Sequence, residues 1–261
     1  MTEARTGDNT EMGSTTEHND SRARRSPGRP RMPFDKIITA AVRLVDEEGA
    51  SALSMRNLAQ RLDTGTAVLY RAVSGRAELI EFVVDRVFGE VDLALNTPPD
   101  GDWQQSCRAA AQATFDTLAR HRGIAPLLIE QVPTGPHILA LREHFLAVLL
   151  DAGFAPEAAA LAYATLARHV VGFAAQLHAT DDPGPEPARI TALFQSLDPG
   201  QYPATLAVAH CLPKQRLEDE FRFGLDMIIA GLGSHHPTPP PEDRDPVRTV
   251  EARRRRTSSK K

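Results

Sequence analysis

Aromatic side chains and cysteines are scarce in this chain of 261 residues. Aromatic residues make up 5% of it, and the two cysteines, Cys107 and Cys211, have no CxxC or zinc-ligand spacing. We therefore expect incidental thiols in a reduced, cytoplasmic protein. Runs of alternating β-branched residues are nearly absent, which argues against strands. A hydrophobic content of 41% is enough for a helical core, so the composition favours an all-α fold.

Long uncharged apolar runs and catalytic motifs are also missing. No stretch reaches 18 uncharged apolar residues, and the polar N-terminus lacks an apolar signal region, so we expect no membrane association. The sequence contains no GxSxG, GxGxxG, Walker A or HExxH motif. His169 and His178 are too far apart on one predicted helix to share a metal ion. We expect no enzyme activity, no catalytic residue, no metal and no cofactor.

Charge is distributed unevenly along the chain. Residues 1–21 carry a net −4, residues 22–76 carry +6, residues 77–234 carry −10, and residues 235–261 carry +4. A basic N-terminal third on an acidic body is typical of a DNA-binding head attached to a soluble effector domain. Chance clustering of solvated charges is the alternative.

Both ends of the chain are polar and poor in residues that could form a core. Residues 1–33 are expected to form a disordered basic arm, and residues 235–261 a disordered tail. Gly28-Arg29-Pro30-Arg31 resembles an AT-hook core, in which Arg29 and Arg31 would enter a narrow minor groove. The simpler interpretation is a basic linker that contacts only phosphates. Either arrangement adds salt-sensitive affinity for DNA.

Three short helical patterns follow one another between Phe34 and Arg76. The first has apolar residues on one face and ends at Gly49; the second begins at Ser54, a good N-cap residue. After the break at Asp63-Thr64-Gly65, a third helix is predicted from about Thr66 to Val73. The turn of about three residues between the last two patterns favours a helix-turn-helix whose third helix enters the DNA major groove. Three helices of an ordinary bundle remain the alternative.

The same segment resembles the N-terminal domain of TetR-family transcriptional regulators. The resemblance rests on VDEEG at the end of the first helix, on SMRNLAQRL in the second, and on the Leu69-Tyr70 pair in the third. It implies a DNA-binding domain over residues 34–80. Arg76, at the start of the fourth predicted helix, is expected to contact a phosphate. A packed aromatic is a rival role for Tyr70. The DNA-binding residues expected here are Ser54, Met55, Arg56, Thr64, Thr66, Ala67, Tyr70, Arg71 and Arg76, besides Arg29 and Arg31.

Residues 81–234 are predicted to be helical and to form a ligand-binding and dimerisation domain. A helix from Arg76 to about Leu95 would link this body to the head. The last helix, expected over residues 214–232, carries an apolar stripe that includes Leu225 and Ile228. That stripe is either core or the seam of a homodimeric four-helix bundle. The body resembles the ligand-binding domain of the tetracycline repressor and its close relatives, most clearly in FRFGLDMIIAGL.

This second resemblance implies a small-molecule pocket with altered chemistry. The histidine and glutamate that hold a magnesium–drug chelate in the tetracycline repressor align with Leu128 and Gln176, which are poor magnesium ligands. A drug-binding amide position aligns with Ala110. We expect a largely apolar, weakly charged ligand; the alternative is that these residues only pack together. The candidate ligand-binding residues are Ala110, Thr114, Leu128, Gln131, His144, Phe145, Phe173 and Gln176.

Taken together, these features predict a DNA-binding transcriptional regulator. The resemblance implies a homodimer that places two recognition helices in successive major grooves of a palindromic double-stranded operator, and a repressor that a small-molecule effector releases. One alternative is a helix-turn-helix regulator without an effector. A different class is a helical small-molecule-binding protein or enzyme whose head is only structural.

Overall fold

The computed structural model describes residues 32–92, 102–177 and 187–234. These residues form helices and turns with no strand among them, so the predicted all-α class is confirmed. The basic arm with Arg29 and Arg31, and the C-terminal tail, lie outside the described residues. The α-helices are α1 (Phe34–Glu48), α2 (Met55–Arg61), α3 (Thr66–Leu69), α4 (Arg76–Phe88), α5 (Trp103–Arg120), α6 (Ile124–Glu130), α7 (Pro136–Asp151), α8 (Pro156–Leu177), α9 (Pro187–Gln195), α10 (Pro203–Val208) and α11 (Leu217–Ser234).

Helices α1 and α2 form where the apolar periodicity places them. The predicted face of α1 is buried, together with Leu44, while Phe34 is half exposed and makes an edge-to-face contact with Phe82 of α4. Gly49 ends α1 with a φ of 83°, a conformation that glycine adopts without steric cost. The hydroxyl of Ser54 accepts the Asn57 N–H at 3.1 Å, which confirms the predicted N-cap of α2.

Helix α3 is shorter than the sequence predicts. It ends at Leu69, and the chain continues as a turn to Val73, because the Ala72 N–H bonds to the Leu69 carbonyl in a tighter, three-residue pattern. The break before α3 uses Asp63 rather than glycine as its left-handed residue, with a φ of 49°. The expected helix to Val73 is therefore wrong at its C-terminal end.

Helix α4 begins at Arg76 as predicted but ends at Phe88, well before Leu95. Two turn hydrogen bonds, from Glu90 N to Val87 O and from Val91 N to Phe88 O, close its last turn in a tighter pattern around Gly89. Leu79, Val83 and the other apolar residues of α4 are buried on more than one side, since the helix packs against α1, α5, α6 and α7. It therefore connects the N-terminal helices to the body.

The core of the body lies between α5, α8 and α11. Phe115 of α5 and Phe221 of α11 stack with ring centroids 4.1 Å apart, and both are almost completely buried. The ring of His169, on α8, stacks on Phe221, and its Nε2 lies 3.0 Å from the Phe221 carbonyl oxygen. A Cβ on Gly224 would lie 2.6 Å from His169, so glycine permits the close approach of α8 and α11 at this point.

Helix α8 is long and apolar enough to cross a membrane by length and composition alone, although Glu157 and Arg168 interrupt its apolar sequence. The core helix of a globular protein meets the same criteria. Here α8 packs against α5, α6, α7 and α11, and it buries a stripe that includes Ala162, Leu166 and Val170. These contacts assign α8 to the helical body.

Candidate nucleic-acid interface and ligand cavity

The exposed side of α2 and α3 carries the side chains predicted to face DNA. Arg56, Thr66, Ala67, Tyr70 and Arg71 are all exposed, and 56% of the Tyr70 surface is accessible. Tyr70 is therefore not a packed core aromatic, which was the alternative role considered for it. Two arginines, a threonine and a tyrosine on one short surface suit contacts to phosphates and base edges.

The remaining predicted head residues are less accessible. Met55 is 8% exposed and belongs to the core, Thr64 is half-buried, and the Ser54 hydroxyl is occupied as a helix cap. These three positions support the surface from beneath. The burial of Met55 and the helix-capping hydrogen bond of Ser54 account for these two residues without a contact to nucleic acid.

Arg76 joins the head to the body. Its Nε donates to the Leu53 carbonyl at 2.8 Å, and its Nη1 and Nη2 bind the two carboxylate oxygens of Glu130 at 2.6 and 3.2 Å. Leu53 precedes α2, whereas Glu130 is the last residue of α6. The bidentate pair with Arg76 holds the pKa of Glu130 below its usual range. The guanidinium predicted to bind phosphate thus has protein partners.

Further polar contacts connect α4 to the segment after α6. Gln131 Nε2 donates to the Ala77 carbonyl at 3.0 Å, and Asp85, buried on α4, accepts the His137 N–H at 2.8 Å. A Cβ on Gly135 would overlap the Asp85 carboxylate, so only glycine fits there. The loop from Gln131 to His137 is therefore fixed against α4 at several points.

A histidine bridges three elements near the end of α5. The Nδ1 of His121 lies 3.0 Å from Asp46 of α1, and its Nε2 lies 3.1 Å from Glu90, just after α4. Hydrogen bonding to Asp46 is the main cause that raises the pKa of His121, with a further contribution from Glu90. In its protonated form, both ring nitrogens donate to carboxylates, so this cluster adds a charged link between head and body.

A cavity of about 500 Å³ lies between α6, α7 and α8. Of the eight predicted ligand-binding residues, Thr114, Leu128 and Phe145 line it. The Thr114 hydroxyl donates to the Ala110 carbonyl at 2.7 Å, which leaves its oxygen able to accept a hydrogen bond. Most of the lining is apolar, as in sites for small organic molecules.

The other five predicted residues are not on the cavity lining. Ala110 is buried in the core, Gln131 is bonded to α4, and Gln176 is exposed and donates to the Gly172 carbonyl at 3.3 Å. Phe173 packs against Phe221 at a centroid distance of 5.8 Å. His144 is half-buried beside Phe145, and burial lowers its pKa.

The polar residues of the cavity that sequence reasoning missed are Arg142, Tyr163 and Arg168. Arg142 Nε donates to the Tyr163 hydroxyl at 3.2 Å, and its Cζ lies 5.8 Å from the Tyr163 ring centroid. No spacing motif marks these residues, because two of them lie on α8 and one on α7. A charged residue within the apolar sequence LALREHF was the only available signal.

An apolar surface on α8 and α11 is left uncovered by the described chain. Leu161 on α8 is 71% exposed, and Phe223 and Met227 on α11 are 68% and 55% exposed. The predicted seam residue Leu225 is only 1% exposed and belongs to the core, while Ile228 is half-buried. The exposed side of α11 is thus adjacent to the predicted stripe.

Matches to known protein families cover most of the chain. Residues 37–83 match the family model described as bacterial regulatory proteins, tetR family, and residues 95–235 match that of the tetracyclin repressor-like C-terminal domain. The HTH-type transcriptional repressor DrrR1 of Streptomyces coeruleorubidus is 30% identical over 213 residues, which is 78% of each chain. The class G tetracycline repressor protein of Vibrio anguillarum is 26% identical over 75% of this chain and 91% of its own.

Solved structures agree with these sequence matches. The crystal structure of ActR from Streptomyces coelicolor in complex with actinorhodin has a TM-score of 0.72 and 29% identity, and covers 79% of this chain and 99% of its own. The fold and the matched regions define a helical, DNA-binding transcriptional regulator. The chain belongs to the TetR family.

Proposed function

We propose that this protein is a homodimeric repressor that leaves its operator when a small molecule occupies the cavity between α6, α7 and α8. One observation carries the proposal. Leu128 and Ile129 of α6 line the cavity, and the next residue, Glu130, binds the arginine that also holds Leu53 in the head. A ligand that displaces α6 therefore acts on the support of the DNA-binding surface.

The DNA-binding head in this proposal comprises residues 34–80, and residues 81–234 bind the ligand and the second subunit. Arg56, Thr66, Ala67, Tyr70 and Arg71 form the DNA-reading surface, supported by Ser54, Met55 and Thr64. The exposure of the first five residues supports this division of roles. Arg76 acts as a link between head and body in place of the predicted phosphate contact, because its guanidinium binds Glu130 and Leu53.

A dimer explains the uncovered apolar surface of α8 and α11. Leu161 and Thr165 are exposed one helical turn apart on α8, next to the side that carries His169 and contacts α11. Phe223 and Met227 extend this surface on α11. Two copies related by a two-fold axis would bury these residues in a four-helix bundle. Between α9 and Lys214, Ala209 is the only buried residue, so this segment leaves further apolar surface exposed.

The ligand is not expected to be magnesium–tetracycline. Among the described residues, the cavity lining contains no carboxylate or histidine. By the sequence resemblance, Leu128 aligns with the metal-facing histidine of the tetracycline repressor. A hard cation prefers oxygen ligands with negative charge. Because ActR is solved with actinorhodin and shares 29% identity with this chain, actinorhodin is the first candidate effector.

The regulator acts in the cytoplasm, where its DNA is, and has no catalytic role. This proposal follows from the family of transcriptional regulators to which the chain belongs. The described lining of the cavity contains Thr114, Tyr163 and two arginines but no pair of groups arranged as nucleophile and base. These residues suit binding.

The experiment measures release of the protein from its DNA site, which is first selected from random DNA with the purified protein. Actinorhodin added to the wild-type complex should abolish a gel shift, whereas tetracycline with magnesium should leave it intact. Ala167→Phe, which fills the cavity, should bind DNA but resist release. Release by magnesium–tetracycline at micromolar concentration would contradict the cavity assignment, as would equal release of the Ala167→Phe variant.

A further inference from the structure

The charge of the cavity lining is unbalanced. Two arginines, Arg142 and Arg168, lie on it, and no aspartate or glutamate of the described chain does. Among the described residues, neither arginine belongs to an ion pair. A guanidinium in an apolar, partly enclosed site loses hydration, and this loss is unfavourable unless an opposite charge replaces the water.

Arg142 is held in place by Tyr163. The hydrogen bond from its Nε to the Tyr163 hydroxyl and the position of its Cζ over the ring fix the guanidinium beside the cavity. Its Nη1 and Nη2 groups have no hydrogen-bond partner within the described ranges. These two nitrogens present parallel N–H donors, the arrangement that binds a carboxylate or a similar anion in bidentate geometry.

We infer that the effector of this regulator is an apolar molecule with one acidic group, and that Arg142 binds this group while the apolar lining holds the rest of the molecule. This inference rests on the proposed ligand-binding role of the cavity and makes the class of ligand specific. The sequence predicted a weakly charged ligand because it does not indicate that Arg142, Tyr163 and Arg168 lie on the cavity lining. The inferred acidic ligand replaces that prediction.

The geometry also assigns different roles to the two arginines. Arg142 is half-buried and bonded to Tyr163, whereas Arg168 is exposed and donates to the Ala164 carbonyl of its own helix at 3.3 Å. Arg142 therefore provides the directional contact. Arg168 adds positive potential that attracts an anion towards the cavity and that salt screens.

Two fluorescent dyes with the same ring system test the inference. 8-Anilinonaphthalene-1-sulfonate is an apolar anion, and N-phenyl-1-naphthylamine is its uncharged counterpart without the sulfonate. Dye binding is measured by fluorescence titration without DNA, and the Ala167→Phe variant identifies the part of each signal that arises in the cavity. Wild-type protein should bind the sulfonate dye in the cavity at least ten times more tightly than the uncharged dye.

The decisive variant is Arg142→Gln, which keeps hydrogen-bonding capacity and removes the charge. It should lose at least tenfold in affinity for the sulfonate dye and change less than twofold for the uncharged dye. Arg216→Gln, at an exposed arginine outside the cavity lining, should change neither affinity. Thermal unfolding and DNA binding by Arg142→Gln establish that the variant is folded.

Several results overturn the inference. These are equal binding of both dyes by wild-type protein, an unchanged preference in Arg142→Gln, or no cavity binding of either dye. If dye occupancy of the cavity releases DNA without any dependence on Arg142, the proposed function survives and only the acidic ligand is rejected. If the cavity binds the sulfonate dye through Arg142 but DNA is never released, the proposed function fails alone.

Discussion

Arg76 and Glu130 are 54 positions apart in sequence and form a bidentate ion pair between α4 and the end of α6. Arg76 also binds the carbonyl of Leu53, so one side chain contacts both the start of α2 and the helix that lines the cavity. Both side chains are about 40% exposed, which limits the pair's contribution to stability. The ion pair matters mainly because it connects the start of α2 to α6, since its contribution to the free energy of unfolding is small.

A double-mutant cycle should detect this pair. Urea unfolding of Arg76→Ala, Glu130→Gln and the double variant should give a coupling free energy of about 0.5–1 kcal/mol, because the partners are partly exposed. DNA binding separates the two roles considered for Arg76. If Arg76 only contacts phosphate, Arg76→Ala weakens DNA binding and Glu130→Gln does not; as a link, both variants alter DNA affinity or its response to ligand.

The subunit interface is tested with a charge at an exposed apolar position. Met227→Glu should give a folded monomer, because an unpaired carboxylate in the proposed seam opposes association. Leu150→Glu, at an exposed leucine of α7, should remain dimeric and serves as the matched control. Light scattering after size exclusion measures both. A wild-type monomer at micromolar concentration, or a dimeric Met227→Glu, contradicts the proposed interface.

The His121 cluster predicts a pH dependence of stability. Since Asp46 and Glu90 raise the pKa of His121 in the folded state, the stabilisation is complete below the unfolded-state value of about 6.5 and is lost as pH rises through the raised pKa. His121→Gln should therefore lower the free energy of unfolding by roughly 1–2 kcal/mol at pH 6 and by much less at pH 9. His210→Gln, at an exposed histidine, is the control. A pH-independent difference would count against the ion-pair assignment.

The arginines of the N-terminal arm predict a salt effect on DNA binding. Deletion of residues 1–31 should lower DNA affinity and flatten the slope of log K against log salt by about 0.9 for each phosphate that the arm neutralises. The preference for one DNA sequence over another should persist, since the proposed DNA-reading surface lies on α2 and α3. Unchanged affinity and slope would show that Arg29 and Arg31 do not contact DNA.

Local sequence signals predicted most of the fold. Ser54 as a cap, Gly49 as a stop and the apolar periodicity of α1 are determined within a few residues, and the structure agrees with them. The early ends of α3 and α4 depend on turn hydrogen bonds around Leu69 and Phe88 that no local pattern specified.

The site was harder to predict because its residues meet through tertiary contacts. Leu128 and Phe145 were placed on the cavity by resemblance, whereas Arg142 and Tyr163 have no motif and become neighbours only when α7 packs on α8. From the sequence, Arg76 was predicted to be available for a phosphate contact, because it lies in the basic N-terminal third of the chain. Its partner Glu130 lies in a different helix, so no local pattern indicates the ion pair.

The proposed repressor binds a symmetric DNA site through its head. Selection from random double-stranded DNA by the purified wild-type protein tests this binding most directly. The predicted result is a palindrome with half-sites about 34–36 Å apart, one helical turn, to which Arg56→Ala binds about 1–3 kcal/mol more weakly and Arg189→Ala, on α9, binds as wild type does. Enrichment of no sequence or of an asymmetric one, or full affinity in a folded Arg56→Ala variant, would contradict the account.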